Sequence, residues 1–152
     1  MTYQDDPDWH LPDPHSQDEF YADVPLKRFL AFLVDTALLL VVTILLVIFT
    51  LGLAVIFIVP VWWLLNFAYR AISLANASAT PGMRLFAIEF RNARGQLFNP
   101  SEAFLHTLGF MLSVTFMPVQ IVSMILMLTS VRGQGLTDHM LGTVALNRRA
   151  AV

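Results

Sequence analysis

Long apolar runs alternate with short polar ones along this chain. After Asp35 no charged side chain occurs for 34 residues, Thr36 to Tyr69, and a second charge-free run covers Ala103 to Val131. Leu26 to Arg70 is too long for one bilayer crossing, because a helix rises about 1.5 Å per residue and a hydrocarbon core of about 30 Å takes about 20 residues. Gly52, in FTLGLAV, marks a turn between two spans. The pattern predicts one helix over 26–49 and a second over 53–74, with Pro60 kinking the second by removing a backbone donor. Trp62 and Trp63 then lie near mid-membrane and outside an interfacial belt.

The stretch Ala75 to Pro100 is polar and broken by Pro81, Gly82 and Gly95. RLFAIEF partly alternates, NARG reads as a turn, and QLF follows, so a short surface hairpin is one expectation. An interfacial segment with Arg84, Arg91 and Arg94 toward head groups is the other. Asn99-Pro100-Ser101-Glu102 reads as a helix start, capped by Asn99 or Ser101. The third apolar run then extends to Val131 and as one straight helix measures about 46 Å. Pro118 sits near its middle, and two readings stay open: a single tilted, kinked helix, or a helical hairpin broken around Phe116-Met117-Pro118. Each hairpin arm would be only about 14–16 residues, short of a comfortable span. Charge placement favours the hairpin, which puts all nine bases on one side, the cytoplasmic one by the positive-inside tendency. Both readings leave the N-terminus cytoplasmic.

Composition agrees with a membrane chain. Hydrophobic residues make up 57% and charged ones 13%, against about a quarter charged in soluble domains. The expected class is an all-α membrane protein: a small polytopic bundle of three apolar runs, or four helices if the third is a Pro-broken hairpin. The net charge of −2 hides an asymmetry, since seven of eleven acids precede Pro25 and every base follows it. Residues 1–24, with Pro7, Pro12 and Pro14, read as a disordered acidic cytoplasmic tail and not a signal peptide. Residues 25–147 read as the transmembrane domain and 148–152 as a short C-terminal tail. His10 and His15 lie among acids without metal-ligand spacing, so no metal is expected. The chain has no basic tail for nucleic acid and no cysteine for disulfides, thiolate sites or thiol nucleophiles.

A carboxylate near mid-bilayer costs at least about 2.5–3.5 kcal/mol, so Asp35 needs a partner or a task. Arg28 and Asp35, seven residues apart, share a helix face but sit about 10 Å apart along the axis. Each must therefore find its partner elsewhere. Asp35 reads either as a structural acceptor or as a protonatable, cation-binding carboxylate. Arg84, in Thr80-Pro81-Gly82-Met83-Arg84, is placed to stay solvated, to bind lipid phosphate or to reach Asp35. In the C-terminal polar stretch Thr137 is the expected cap of a short helix starting at Asp138, Gly142 its end, and Val144–Leu146 an extended segment. Under the hairpin topology Arg28, Asp35, Arg84 and Asp138 form one structural or ion-binding polar cluster. His106, Arg132 and Thr137 are secondary candidates; a lone histidine on an apolar face is more often a core residue than a ligand.

No Gly-rich phosphate loop, HExxH or GxSxG occurs, and no spacing links a nucleophile to a base. The chain is therefore not expected to be an enzyme or to hold a cofactor. Arg28 and Asp35 in the first span, TPGMRL after the second, and TDHMLGT before a short extended tail resemble the RDD family, named for one arginine and two aspartates. By match to that motif Arg28 is the arginine and Asp35 and Asp138 the aspartates, over roughly Pro25 to Asn147. The chain departs from the family's usual pattern at Met83, His106 and Thr137. The resemblance implies a small bacterial membrane protein; some members have been linked to sodium–proton exchange. The expected function is a non-enzymatic scaffold, assembly factor or accessory subunit in the cytoplasmic (inner) membrane. The expected partners are the lipid bilayer and its anionic lipids, with a second copy or a membrane protein as protein partner. The alternative is a cation/proton exchange component using Asp35.

Overall fold

The structure, a computed structural model, describes residues 10–148. Helix α1 (Val24–Phe49) leads through a tight turn and a 3-10 segment (Leu53–Phe57) into α2 (Ile58–Ala77). The short α3 (Pro81–Leu85) and strand β1 (Ile88–Arg91) follow. Then come α4 (Pro100–Thr115), α5 (Met117–Thr129), the short α6 (Leu136–Leu141) and strand β2 (Val144–Asn147). This is a mostly helical membrane protein. Two stretches, Asp18–Phe49 and Leu53–Ala77, are long and apolar enough to cross a membrane, and α4 with α5 form a third, bent candidate.

On α1 the buried positions are Val24, Ala31, Asp35, Leu39 and Thr43, a stripe spaced by four or seven residues that faces the other helices. The remaining α1 faces expose Leu33, Leu38, Leu40, Val41, Ile44 and Ile48, as an element bathed in lipid does. Gly52 turns the chain with φ +86°, a left-handed conformation in which a side chain is strained. Pro60, expected to kink this span, occupies the first turn of α2, which begins only at Ile58, where its missing N–H has no intrahelical acceptor to lose. Trp62 and Trp63 consequently fall within the first two turns of α2.

The third apolar run is broken. α4 and α5 meet with a bend of 116° at Phe116. A continuing helix would drive the Pro118 ring into the carbonyl four residues back, and Phe116 instead adopts an extended conformation (φ −104°, ψ 96°). The Ser113 hydroxyl donates to Gln120 Oε1 across the break at 2.9 Å. Arms of 16 and 13 residues measure about 24 and 20 Å, each shorter than a hydrocarbon core. Asn99 caps α4 and closes a capping box with Glu102, satisfying two backbone donors reciprocally.

The broken pair returns the chain to the face from which α1 starts. There β1 and β2 pair antiparallel, with Glu89 opposite Leu146 and Phe90 opposite Ala145. The expected local hairpin between RLFAIEF and QLF is thus corrected. The turn exists, with the Asn92 side chain accepting from Arg94 N and Gln96 N, but β1 takes the C-terminal strand as its partner. Of QLF only Gln96 bonds back across the turn, its carbonyl accepting from Asn92 N at 3.0 Å; Phe98 N donates to Ser78 Oγ at 2.7 Å. The main core lies at this end of the bundle and joins Val24, Ala31, Leu74, Met83, Ile88, Phe90, Phe98, Ala103 and Ala145.

The expected disordered tail is also corrected where it is described; residues 1–9 lie outside the described residues. Leu11 and Tyr21 are buried against Val144 and Leu146, and the Tyr21 hydroxyl donates to Pro12 O at 2.8 Å. The few apolar residues between the acids are what dock this segment onto β2.

Candidate functional site

Two buried aspartates organise the end of the bundle that carries the sheet, and each has its own set of partners. Asp138 is 0% exposed. Its Oδ2 accepts from Arg28 Nη1 at 2.5 Å and from Gly135 N at 3.0 Å. Its Oδ1 accepts from His106 Nε2 at 2.9 Å and from the Thr143 hydroxyl at 2.9 Å. A carboxylate offers about four lone-pair sites, so these four donors saturate it. Burial alone would raise the Asp138 carboxyl; the Arg28 charge, with the His106 hydrogen bond and charge, outweighs it and holds the group well below the usual carboxylate range.

The other side of the pair is equally well fixed. Arg28 Nη1 also donates to Gly133 O at 3.2 Å, and the guanidinium carbon lies 5.2 Å from the centre of the Phe90 ring. Phe90 stacks on Phe98 at 5.4 Å, and His106 leans on both rings, at 4.3 and 5.5 Å. An aromatic wall therefore excludes water from the ion pair on one side.

Asp35 is 1% exposed. Its Oδ1 accepts from the Tyr69 hydroxyl at 2.7 Å and Gly82 N at 2.8 Å, and its Oδ2 from the Thr80 hydroxyl at 2.6 Å. No ion pair to Asp35 occurs within 4 Å among the described residues. The carboxylate is held by three neutral donors, two of them from the start of α3. Thr80 caps α3 by accepting from Met83 N at 3.2 Å while donating to Asp35. The contact requires glycine at 82: a Cβ there would overlap Ala31 O and lie 2.7 Å from Asp35 Oδ1.

The single four-residue cluster expected from the sequence is therefore corrected to two sites. Arg28 and Asp138 meet, and His106 joins them. Asp35 stands apart, as the two-turn separation from Arg28 requires. Arg84 does not join either; it is exposed and makes no side-chain hydrogen bond or ion pair among the described residues. Arg132 lies beside Tyr21. Thr137 does not cap α6, which starts one residue earlier; its side chain packs on Gly109 of α4, where an added Cβ would come within 2.6 Å of it. Asp138 itself takes the capping role through Gly135 N. Met83, a departure from the family's usual pattern, is buried in the core.

Sequence reasoning missed Tyr69, Thr143, Gly135 and Phe90 as partners, because each is ordinary in its own segment. Thr80 and Gly82 entered the sequence reading only as part of the turn that carries Arg84; the helix start they make, threonine followed by proline at the first helical position, and their acceptor were not read. No group of three or more potential metal-binding His or acidic residues occurs among the described residues.

A family model described as the RDD family matches residues 23–142, most of the chain and every residue of both sites except Thr143. No curated protein and no solved structure matches.

Proposed function

The chain belongs to the RDD family, and from that premise we propose that it acts as a non-enzymatic membrane scaffold, an assembly or accessory subunit of the bacterial cytoplasmic membrane. Its working part on this reading is the cytoplasmic platform made of α3, α6, the two-stranded sheet and the docked segment from His10 to Asp23. The observation that carries the reading is the closure of both aspartates. Asp138 has every lone pair taken, Asp35 has three donors from within the chain, and both are shut off from solvent. An exchange site needs a carboxylate that can swap ligands against water; a fastening point needs one that cannot. A cleft of about 420 Å³ supports the same view. It lies on the platform between Leu11, Phe20, Glu89, Arg91 and Leu146 and touches neither aspartate.

The test combines transport with folding. The purified chain is reconstituted in proteoliposomes and cation-dependent proton flux is measured for the wild type and Asp35→Asn. The scaffold reading expects wild-type flux equal to that of empty vesicles, and Asp35→Ala to lose its monodisperse, folded state. Wild-type flux that vanishes in a well-folded Asp35→Asn protein would establish the exchange reading instead.

A further inference from the structure

The break between α4 and α5 holds polar groups at a depth where lipid offers them nothing. Phe110 of α4 rests against Phe32 of α1, ring centres 6.3 Å apart. From there α4 rises at most about 9 Å to the break at Phe116, whereas α1 rises about 26 Å from Phe32 to its end at Phe49. The break therefore falls at least about 16 Å short of the far end of α1, well inside a hydrocarbon core of about 30 Å.

Phe116 N closes α4 on Leu112 O, and Pro118 has no N–H to offer the carbonyl four residues back. Among the described residues nothing donates to the carbonyls of Ser113, Val114 and Thr115. The surroundings do not cover them: Thr115 and Pro118 are exposed, and Phe116 and Met117 are 59% and 66% exposed. Non-helical backbone at membrane depth is tolerated where protein covers it or water fills a cavity beside it, and not against lipid. Gln120 makes the same demand with its side chain. Its Oε1 accepts from the Ser113 hydroxyl at 2.9 Å, while its Nε2 has no acceptor among the described residues and the residue is partly exposed.

The free groups of this carboxamide name their partner. Two N–H donors and one Oε1 lone pair remain, so the group is its own complement. Two copies inserted the same way hold every residue at one depth, and a twofold axis along the membrane normal sets a residue near that axis against itself. A different protein must bring a matching polar group to this depth; a second copy does so by construction. Gln120 also borders an exposed apolar face of α5, Met117, Ile121, Met124 and Leu128, spaced by four, three and four residues. We propose that a second copy of this chain covers the break between α4 and α5, with each Gln120 Nε2 donating to the other's Oε1 and the two α5 faces packed alongside. The contact asks nothing of the aspartates and holds whether or not the scaffold reading does.

The test uses the full chain in phosphatidylcholine vesicles, with single cysteines in a sequence that has none of its own. Copies labelled with donor and acceptor dyes at Arg94→Cys, exposed on the platform, report association by energy transfer as lipid dilutes them. Transfer is expected to persist on dilution, and Gln120→Leu to weaken association about tenfold. Disulfide formation by copper phenanthroline reads the contact directly and leaves Gln120 in place. Met117→Cys and Met124→Cys are expected to give dimers in high yield, and Val41→Cys, on an exposed face of α1, to give few. Equal yields at Met124 and Val41, or association unchanged by Gln120→Leu, would overturn the proposal. Labelling of Thr115→Cys by an impermeant maleimide, without dimers at Met124, would overturn it in favour of a water-filled break. A Met124→Cys product in native membranes whose mass is not twice that of the chain would overturn it in favour of a different protein.

Discussion

Arg28 and Asp138 stand 110 residues apart in the sequence and meet at 2.5 Å. The contact ties the first turns of α1 to the last helix of the chain. Around it gather groups from three further segments: Gly133 and Gly135 before α6, His106 from α4 and Thr143 at the start of β2. A buried ion pair is weak support for stability when weighed against an apolar replacement, yet removing one partner leaves an uncompensated charge. The pair is therefore best understood as setting which ends of the bundle come together.

A pH dependence follows from Asp138. Its folded-state carboxyl is held below the ordinary range, so the unfolded chain binds the proton more tightly than the folded one. The resulting stabilisation is complete above the unfolded value of about 4 and is lost as pH falls through the depressed folded value. Unfolding in detergent between pH 6 and pH 2.5 should show the wild type losing stability below pH 4 more steeply than Asp138→Asn. Parallel profiles would remove the carboxylate from the acid response.

Gly82→Ala should loosen α3 without touching a charge. The added methyl meets Ala31 O and Asp35 Oδ1, so α3 must move off α1 or Asp35 must turn away. Overpacking of this kind costs about 1–3 kcal/mol. Limited trypsin digestion reads the outcome, since Arg84 lies on α3; cleavage after Arg84 should accelerate several-fold relative to the wild type. An unchanged cleavage rate would mean that the close approach of Gly82 to Asp35 is not what seats α3.

The returning third run predicts labelling from one side. The Lys27 Nζ donates to Asn147 Oδ1 at 2.7 Å, which brings the start of α1 and the end of β2 together. The chain has no native cysteine, so single cysteines at Leu26, Arg94 and Arg148 can be compared directly. All three should react with an impermeant maleimide from the same face of sealed vesicles, and a cysteine at Leu51 from the other. Labelling of Arg148→Cys together with Leu51→Cys would contradict the fold.

Much of this was legible in the chain. The two long helices, the turn at Gly52, the cap at Asn99, the break near Pro118 and the end of α6 at Gly142 are local events, written in charge-free length, caps and glycines. The separation of Arg28 from Asp35 was legible for the same reason, as helix geometry alone forbids their contact. What local pattern does not encode is pairing at long range. Strand β1 carries alternation enough for a hairpin, but its partner lies more than fifty residues on, across the broken pair. Asp35 needed Gly82 to approach Ala31, a fit between two elements that neither segment announces. Leu11 and Tyr21 looked too few to order an acidic segment until the apolar edge of β2 was in place to receive them.

The most direct test of the account is a double-mutant cycle on Arg28 and Asp138, with unfolding free energies measured for Arg28→Met, Asp138→Leu and the pair. Each single change should cost about 3–5 kcal/mol, because it strands the other charge, and the double variant should cost at least about 2 kcal/mol less than the sum. Costs that add within about 0.5 kcal/mol would mean the two residues do not act on each other, and the anchoring of the platform to α1 by this pair would be wrong.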